Sequence, residues 1–300
     1  MERHQVAVYL GALAAGGVAG WTAPGAGPLL EHAINPVLAA LLYVTFLQVP
    51  VTRLGRSLRA GRFLGAALVV NFAVVPLVVA AFFTFLPADQ AIRLGVLLVL
   101  LAPCVDYVIV FSGLAGGDSQ RLLAATPLLL FAQMVLLPGY LLLFLGSDLA
   151  VVEPGPFVEA FVVLIAIPLA LAWLTQTWAG ERVGAISTTM VPLMAVTLFA
   201  VVASQVPKLG DLRQVLGVVP FYVAFLLVMA FAGVAVARLF RLGVASGRAI
   251  VFTGATRNSL VVLPLALSLS DLAAVVVVTQ TLVEVIGMVI YVRVVPRLLP

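Results

Sequence analysis

The chain has 300 residues, 64% of them hydrophobic and only 9% charged, with a net charge of +4 and a mean hydropathy of +1.24. Soluble domains carry about 45–50% apolar residues, so a water-soluble protein of this size could not bury so much apolar surface, and a lipid bilayer is the expected solvent. A single cysteine excludes an internal disulfide, and no phosphate-binding loop sequence supports nucleotide-driven pumping within the chain.

Breaking the sequence at charges and at Pro/Gly-rich points predicts ten spanning segments, each near the roughly 20 residues a bilayer requires. The first, about 6–24, lies in an N-terminus that begins "MERHQVAVYLGALAAGG", has no clear small-residue cleavage site before the next apolar segment and reads as a retained helix. Segments at about 33–51 and 63–86 flank a loop carrying Arg53, Arg56, Arg59 and Arg62. The fourth, about 93–116, is interrupted by "APCVDY" (102–107). The fifth covers about 122–145, the sixth 157–178, the seventh 184–206 and the eighth 214–237. The ninth, about 248–269, is interrupted by "TGATRNS" (253–259), and the tenth, about 272–293, carries Glu284.

With the N-terminus in the cytoplasm, every base outside the spans falls on the cytoplasmic side except Arg93, Lys208 and Arg213. Acids show the opposite tendency. That asymmetry is the positive-inside rule, and it accounts for the basic balance without a nucleic-acid partner. Both termini are then cytoplasmic. Ten segments divide as five plus five, residues 1–150 and 151–300, so the second half enters the membrane from the opposite side, the geometry of an inverted repeat. The fold expected is therefore all-α and polytopic. Its two interruptions fall at corresponding depth, the pattern of broken helices that build a transport site; two ordinary packing kinks are the alternative.

Three ionisable side chains lie well inside the spans: Asp106, Arg257 and Glu284. Each costs roughly 2.5–3.5 kcal/mol at a helix centre on insertion scales, so each should face the bundle interior or a wet cavity. Asp106 and Arg257 occupy the two interruptions and are expected to pair, either as part of a transport site or as a staple between helices. Gln280, Glu284, Gly287 and Tyr291 share one helix face. No base accompanies Glu284 in its helix, so it is expected as an unpaired carboxyl suited to carrying a proton, or else as an acid committed to a helix–helix hydrogen bond. Cys104 follows Pro103 and is either a small hydrophobe in the core or a soft ligand at the break. Asn71, Thr126, Thr188, Thr189 and Thr197 read as packing contacts between helices, and His4 and His32 form no metal cluster.

The segments "LAPCVDYVIVFSGLAGGD" (101–118), "VFTGATRNSLVVLPLAL" (251–267) and "TQTLVEVIGMVIYV" (279–292) resemble the bile acid:sodium symporter superfamily and, within it, look closest to the arsenite efflux permeases. The resemblance runs through nearly the whole ten-helix layout. It implies a panel domain packed against a core domain that contains two crossing broken helices. It also implies functional roles for Cys104, after Ala-Pro, and Glu284, in Val-Glu-Val. Sodium-coupled members have Ser and Asn where Val108 and Ile109 stand, and Glu and Gln where Thr253 and Arg257 stand. A fixed guanidinium there would repel sodium and replace its charge. Arsenite permeases usually have uncharged residues at the positions of Asp106 and Arg257.

The function expected is a secondary transporter of the cell membrane, an antiporter that exports arsenite or antimonite in exchange for protons without sodium. Cys104, Asp106, Arg257 and Asn258 would bind substrate, with Cys104 as the metalloid ligand, and Glu284 with Gln280 would couple protons. No cofactor and no resident metal are expected, and the partners are the substrate and the lipid bilayer. The alternative is a transporter of a small organic anion whose carboxylate sits on Arg257. An intramembrane enzyme using Asp106 and Glu284 as acid and base would need a nucleophile or metal the sequence does not supply, so no enzyme activity is expected.

Overall fold

The computed structural model describes residues 2–47, 61–104, 107–146, 155, 159, 162–179, 189–208 and 212–300. Among these residues the chain is helical, with no strand and one isolated β-bridge. Lipid offers the backbone no hydrogen bonds, so a spanning segment must satisfy its own peptide groups, which a helix does. The helices are α1 (Glu2–Thr22), α2 (Gly27–Leu47), α3 (Gly61–Phe83), α4 (Gln90–Leu101), α5 (Tyr107–Leu114), α6 (Ser119–Leu145), α7 (Ile167–Ala179), α8 (Met190–Gln205), α9 (Leu212–Leu239), α10 (Val244–Ala255), α11 (Ser259–Leu269) and α12 (Asp271–Leu298). Among the described residues, four stretches are single helices long and apolar enough to cross a bilayer: Pro24–Leu47, Gly61–Phe83, Leu216–Leu239 and Asp271–Leu298. The bent pair Ser119–Gln133 and Val135–Leu145 makes a fifth.

Prolines explain the irregularities. The 47° bend in α6 falls between residues 133 and 135, where the ring of Pro138 meets the carbonyl four residues before it. In α3, Pro76 cannot donate to the Phe72 carbonyl, and the helix passes that point through a π turn, Val70–Val74. The freed Phe72 oxygen accepts instead from the Tyr140 hydroxyl at 2.5 Å, so a defect in one helix becomes a tie to another.

The helices pack in two groups. In the first, α1 lies on α8, α8 on α2 and α2 on α7. In the second, α9 lies on α10 and α12, and α12 on α4 and α11. Each group draws on both halves of the chain. Small residues set the spacing. A Cβ on Gly16 or Gly20 of α1 would lie 2.7 or 2.8 Å from a backbone oxygen of α8. Gly95 of α4 does the same against α12, where a Cβ would lie 2.8 Å from the Ala273 carbonyl. Backbone cannot step aside as a side chain can, so Gly95→Ala is expected to cost about 1–3 kcal/mol by overpacking. A fall in melting temperature of the purified protein checks this, with Gly11→Ala, in open space, as the silent control.

One end of the second group is closed by polar contacts. Gly116 turns the chain after α5 with φ +70°, and Asp118 then caps α6, accepting from the Arg121 N–H at 3.1 Å. The Asp118 N–H bonds the Ala245 carbonyl at 2.9 Å, Arg121 donates to Ser246, and Arg248 donates to the carbonyls of Ala115 and Leu299. The Leu-Ala-x-Gly-Asp segment of 114–118 therefore ties α5 and α6 to the start of α10.

Candidate functional site

The site lies where two broken helices meet. Pro103 ends α4, because the residue before a proline is pushed out of the helical region; Ala102 has φ −98°, ψ 112°. In the second half α10 stops at Ala255, and Thr256 is extended at φ −82°, ψ 139°. The two extended ends run antiparallel as a single bridge between Pro103 and Arg257. Its hydrogen bonds come from the flanking residues: the Asn258 N–H donates to the Ala102 carbonyl at 2.8 Å, and the Cys104 N–H to the Thr256 carbonyl at 3.3 Å. Pro103 and Arg257 thus form the non-bonded pair of the ladder, whose own peptide groups point away from the partner strand. Proline costs nothing there, and the N–H and C=O of Arg257 are left to find partners elsewhere.

This crossing strands carbonyls in both helices. In unbroken helices the Arg257, Asn258 and Cys104 N–H groups would bond the carbonyls of Thr253, Gly254 and Leu100. All three donors are diverted. One guanidinium satisfies the acceptors they leave: Arg257 Nη2 donates to Thr253 O at 2.7 Å and Gly254 O at 2.7 Å, and Nη1 donates to Leu100 O at 3.2 Å. Nη2 also donates to Asn71 Oδ1 at 2.8 Å, and the guanidinium carbon lies 5.7 Å from the Phe225 ring centre. Arg257 is fully buried. Its charge sits against the negative ends of two helix dipoles, where a cation is favoured. Asn71 is in turn held by donating to Ala67 O at 3.0 Å and Thr253 Oγ1 at 3.2 Å.

Glu284 reaches the same crossing from α12 and is also fully buried. Its Oε2 accepts from the Arg257 backbone N–H at 2.8 Å and from Gln280 Nε2, one turn earlier. Its Oε1 accepts from the Tyr107 hydroxyl at 2.5 Å. Three donors thus converge on the carboxyl, none of them a basic side chain: Arg257 contributes its backbone N–H, so Glu284 has hydrogen-bond partners but no ion pair among the described residues. Gln280, Glu284, Gly287 and Tyr291 share a face as their spacing predicts, with Tyr291 bonding the Leu226 carbonyl of α9.

Cys104 lies in the break itself, 2% exposed, so in this conformation its thiol is closed off from bulk water. Asn258 caps α11, its Oδ1 accepting from the Val261 N–H at 3.2 Å. Its amide nitrogen, Arg257 Nε, Ser259 Oγ and Gln280 Oε1 are buried without a partner among the described residues. Asp106, the expected partner of Arg257, lies outside the described residues. The structure thus brings together Cys104, Arg257, Asn258, Gln280 and Glu284. Sequence reasoning missed Tyr107 and gave Asn71 only a packing role. The signal for Asn71 was an amide four residues before the span's own helix-breaking context ends at Val75–Pro76; nothing marked Tyr107 beyond its place next to the break.

A family model described as the sodium bile acid symporter family matches residues 35–211, more than half of the chain. The match includes Cys104 and the first broken helix; Arg257 and Glu284 lie beyond it. Among curated proteins, none matches the chain.

Proposed function

The chain belongs to the sodium bile acid symporter family, a family of membrane transporters and not of enzymes, and from that premise we propose that it exports trivalent metalloid, arsenite or antimonite, in exchange for protons and without sodium. The observation that carries this reading is the content of the crossing. The Arg257 guanidinium donates to backbone oxygens, the Glu284 carboxyl accepts from the N–H of the same residue, and the chain's single thiol lies in the break. Neutral trihydroxy-arsenic can condense with the Cys104 thiol, the sulfur bonding arsenic while one hydroxyl leaves with the thiol proton as water. One such bond, with no second thiol to chelate, releases the cargo by the reverse step. Glu284 would take up and release the exchanged proton, supported by Gln280.

The same reading takes the ten predicted segments as spans, α4 with α5 and α10 with α11 each forming one broken span. Residues 1–150 and 151–300 are then inverted repeats, and both termini are cytoplasmic in the cell membrane. The polar end that holds Arg121 and Arg248 would face the cytoplasm by the positive-inside rule. The organic-anion alternative asks Arg257 to grip a carboxylate although both of its terminal nitrogens already serve protein oxygens and only Nε is without an acceptor among the described residues, and that commitment favours the metalloid reading.

Everted vesicles test the coupling. Replacing sodium by choline should leave arsenite uptake unchanged, whereas collapsing the proton gradient should reduce it to the downhill rate. A strict sodium requirement would sink the proposal.

A further inference from the structure

The Tyr107 hydroxyl has two acceptors within reach, Glu284 Oε1 at 2.5 Å and the Arg257 carbonyl at 3.3 Å. It has one hydrogen to give. The Arg257 carbonyl is one of the two peptide groups that the bridge turns outward, and the other, the Arg257 N–H, is held by the same Glu284 carboxylate. From this geometry we propose that Tyr107 is a positioning residue that reports the protonation of Glu284 to the helix crossing. The inference rests on the proton-coupled reading above. With Glu284 ionised, the Tyr107 O–H points to Oε1. When a proton from water binds Oε1, the new O–H donates to the Tyr107 oxygen, and the tyrosine hydrogen turns to the Arg257 carbonyl. The proton count balances: one proton enters from solvent, and the phenol keeps its own. Residue 257 then gains a hydrogen bond on its carbonyl while keeping the one on its N–H. Protonation is thereby felt at the bridge between α4 and α10, the point about which both broken helices are aligned.

Other groups facing this pair do not substitute for Tyr107. The Tyr291 hydroxyl is committed to the Leu226 carbonyl and the Tyr222 hydroxyl of α9 to Val276. The Arg257 guanidinium serves carbonyls and Asn71. Cys104 lies in the first break, 2% exposed, and Asp106 lies outside the described residues.

The test is a double-mutant cycle of Tyr107→Phe and Glu284→Gln, read first as melting temperature against pH in purified protein without substrate. If the relay operates, Tyr107→Phe changes the pH dependence of melting, and the same substitution made in Glu284→Gln produces only a constant offset. A constant offset in both backgrounds means that Tyr107 is structural, and overturns the proposal. The second readout is the ratio of gradient-driven to equilibrium-exchange arsenite flux in proteoliposomes. It should fall about ten-fold in Tyr107→Phe, the effect of losing one hydrogen bond's worth of coupling. If Glu284→Gln loses gradient drive while Tyr107→Phe keeps it, the relay fails and the proton-coupled reading stands. If Glu284→Gln keeps it, the coupling reading fails with it. Should the variants not fold, pH-jump infrared difference spectra of wild-type protein containing ring-labelled tyrosine decide. A tyrosine band that changes together with a buried carboxyl band supports the relay, and an unchanged tyrosine band overturns it.

Discussion

Arg257→Ala is expected to be the most damaging single substitution in the chain, and sodium is expected to repair part of the damage. Removing the guanidinium leaves the carbonyls of Leu100, Thr253 and Gly254 and the Asn71 Oδ1 without their donor in a fully buried site. Each buried acceptor left unsatisfied typically costs about 1–3 kcal/mol, so together they take a large part of the roughly 5–15 kcal/mol that holds a protein folded. The Nη2 position, however, is surrounded by three oxygens at 2.7 to 2.8 Å. Emptied of nitrogen, that cage offers hard oxygen ligands at the negative ends of α4 and α10. Sodium chloride should therefore raise the melting temperature of Arg257→Ala above its value in choline chloride, by mass action on the folded state, while wild-type protein responds equally to both salts. Equal melting of the variant in the two salts would show that the guanidinium does not stand in a cation's place. Arg257→Lys separates charge from shape: one ammonium carries the charge but cannot serve four acceptors along two edges as a planar fork does.

Cys104→Ser is expected to abolish arsenite and antimonite protection of intact cells while leaving the protein folded. Serine keeps the size of the side chain, so the α4 break, which depends on Pro103 and on the backbone bonds of residues 102, 104 and 258, should survive. What is lost is the soft donor: an alcohol does not hold trivalent arsenic as a sulfur does. Burying a hydroxyl at a site 2% exposed costs at most about 1–3 kcal/mol, which a thermal melt will register separately from flux. If protection persists in Cys104→Ser, the thiol is core packing and the metalloid is carried without it. An organic anion is indicated instead if wild-type protein gives no metalloid protection and anion flux is unchanged by Cys104→Ser but reduced by Arg257→Lys.

The chain's own order of residues was enough to establish several things about this protein. Its apolar content requires a bilayer, and the periodic breaks at charge, proline and glycine outline the helical segments. The interruptions at 102–107 and 253–259 were legible because a proline or a run of polar residues is costly in an otherwise apolar span and needs a reason. The shared face of Gln280, Glu284 and Tyr291 followed from helical spacing alone. All of these are local: each depends on a residue and on neighbours within a turn or two.

Only the tertiary structure decided what Arg257 and Glu284 touch. Glu284 looked solitary because its donors, Tyr107 and the Arg257 N–H, stand 177 and 27 residues away. Arg257 looked like the partner of an acid because charge pairing is the simplest rule available to a linear reading. Asp106 lies outside the described residues; the acceptors among them are Asn71 and three backbone carbonyls, which carry no signature in the side-chain sequence and are open because the Pro103–Arg257 bridge diverts the three N–H groups that would have closed them. Asn71 acquires its role the same way, by facing α10 across the π turn that Pro76 imposes on α3. A hydrogen-bond vacancy is created by backbone geometry and filled by whichever side chain the packing brings there, so it comes into being only when the helices cross.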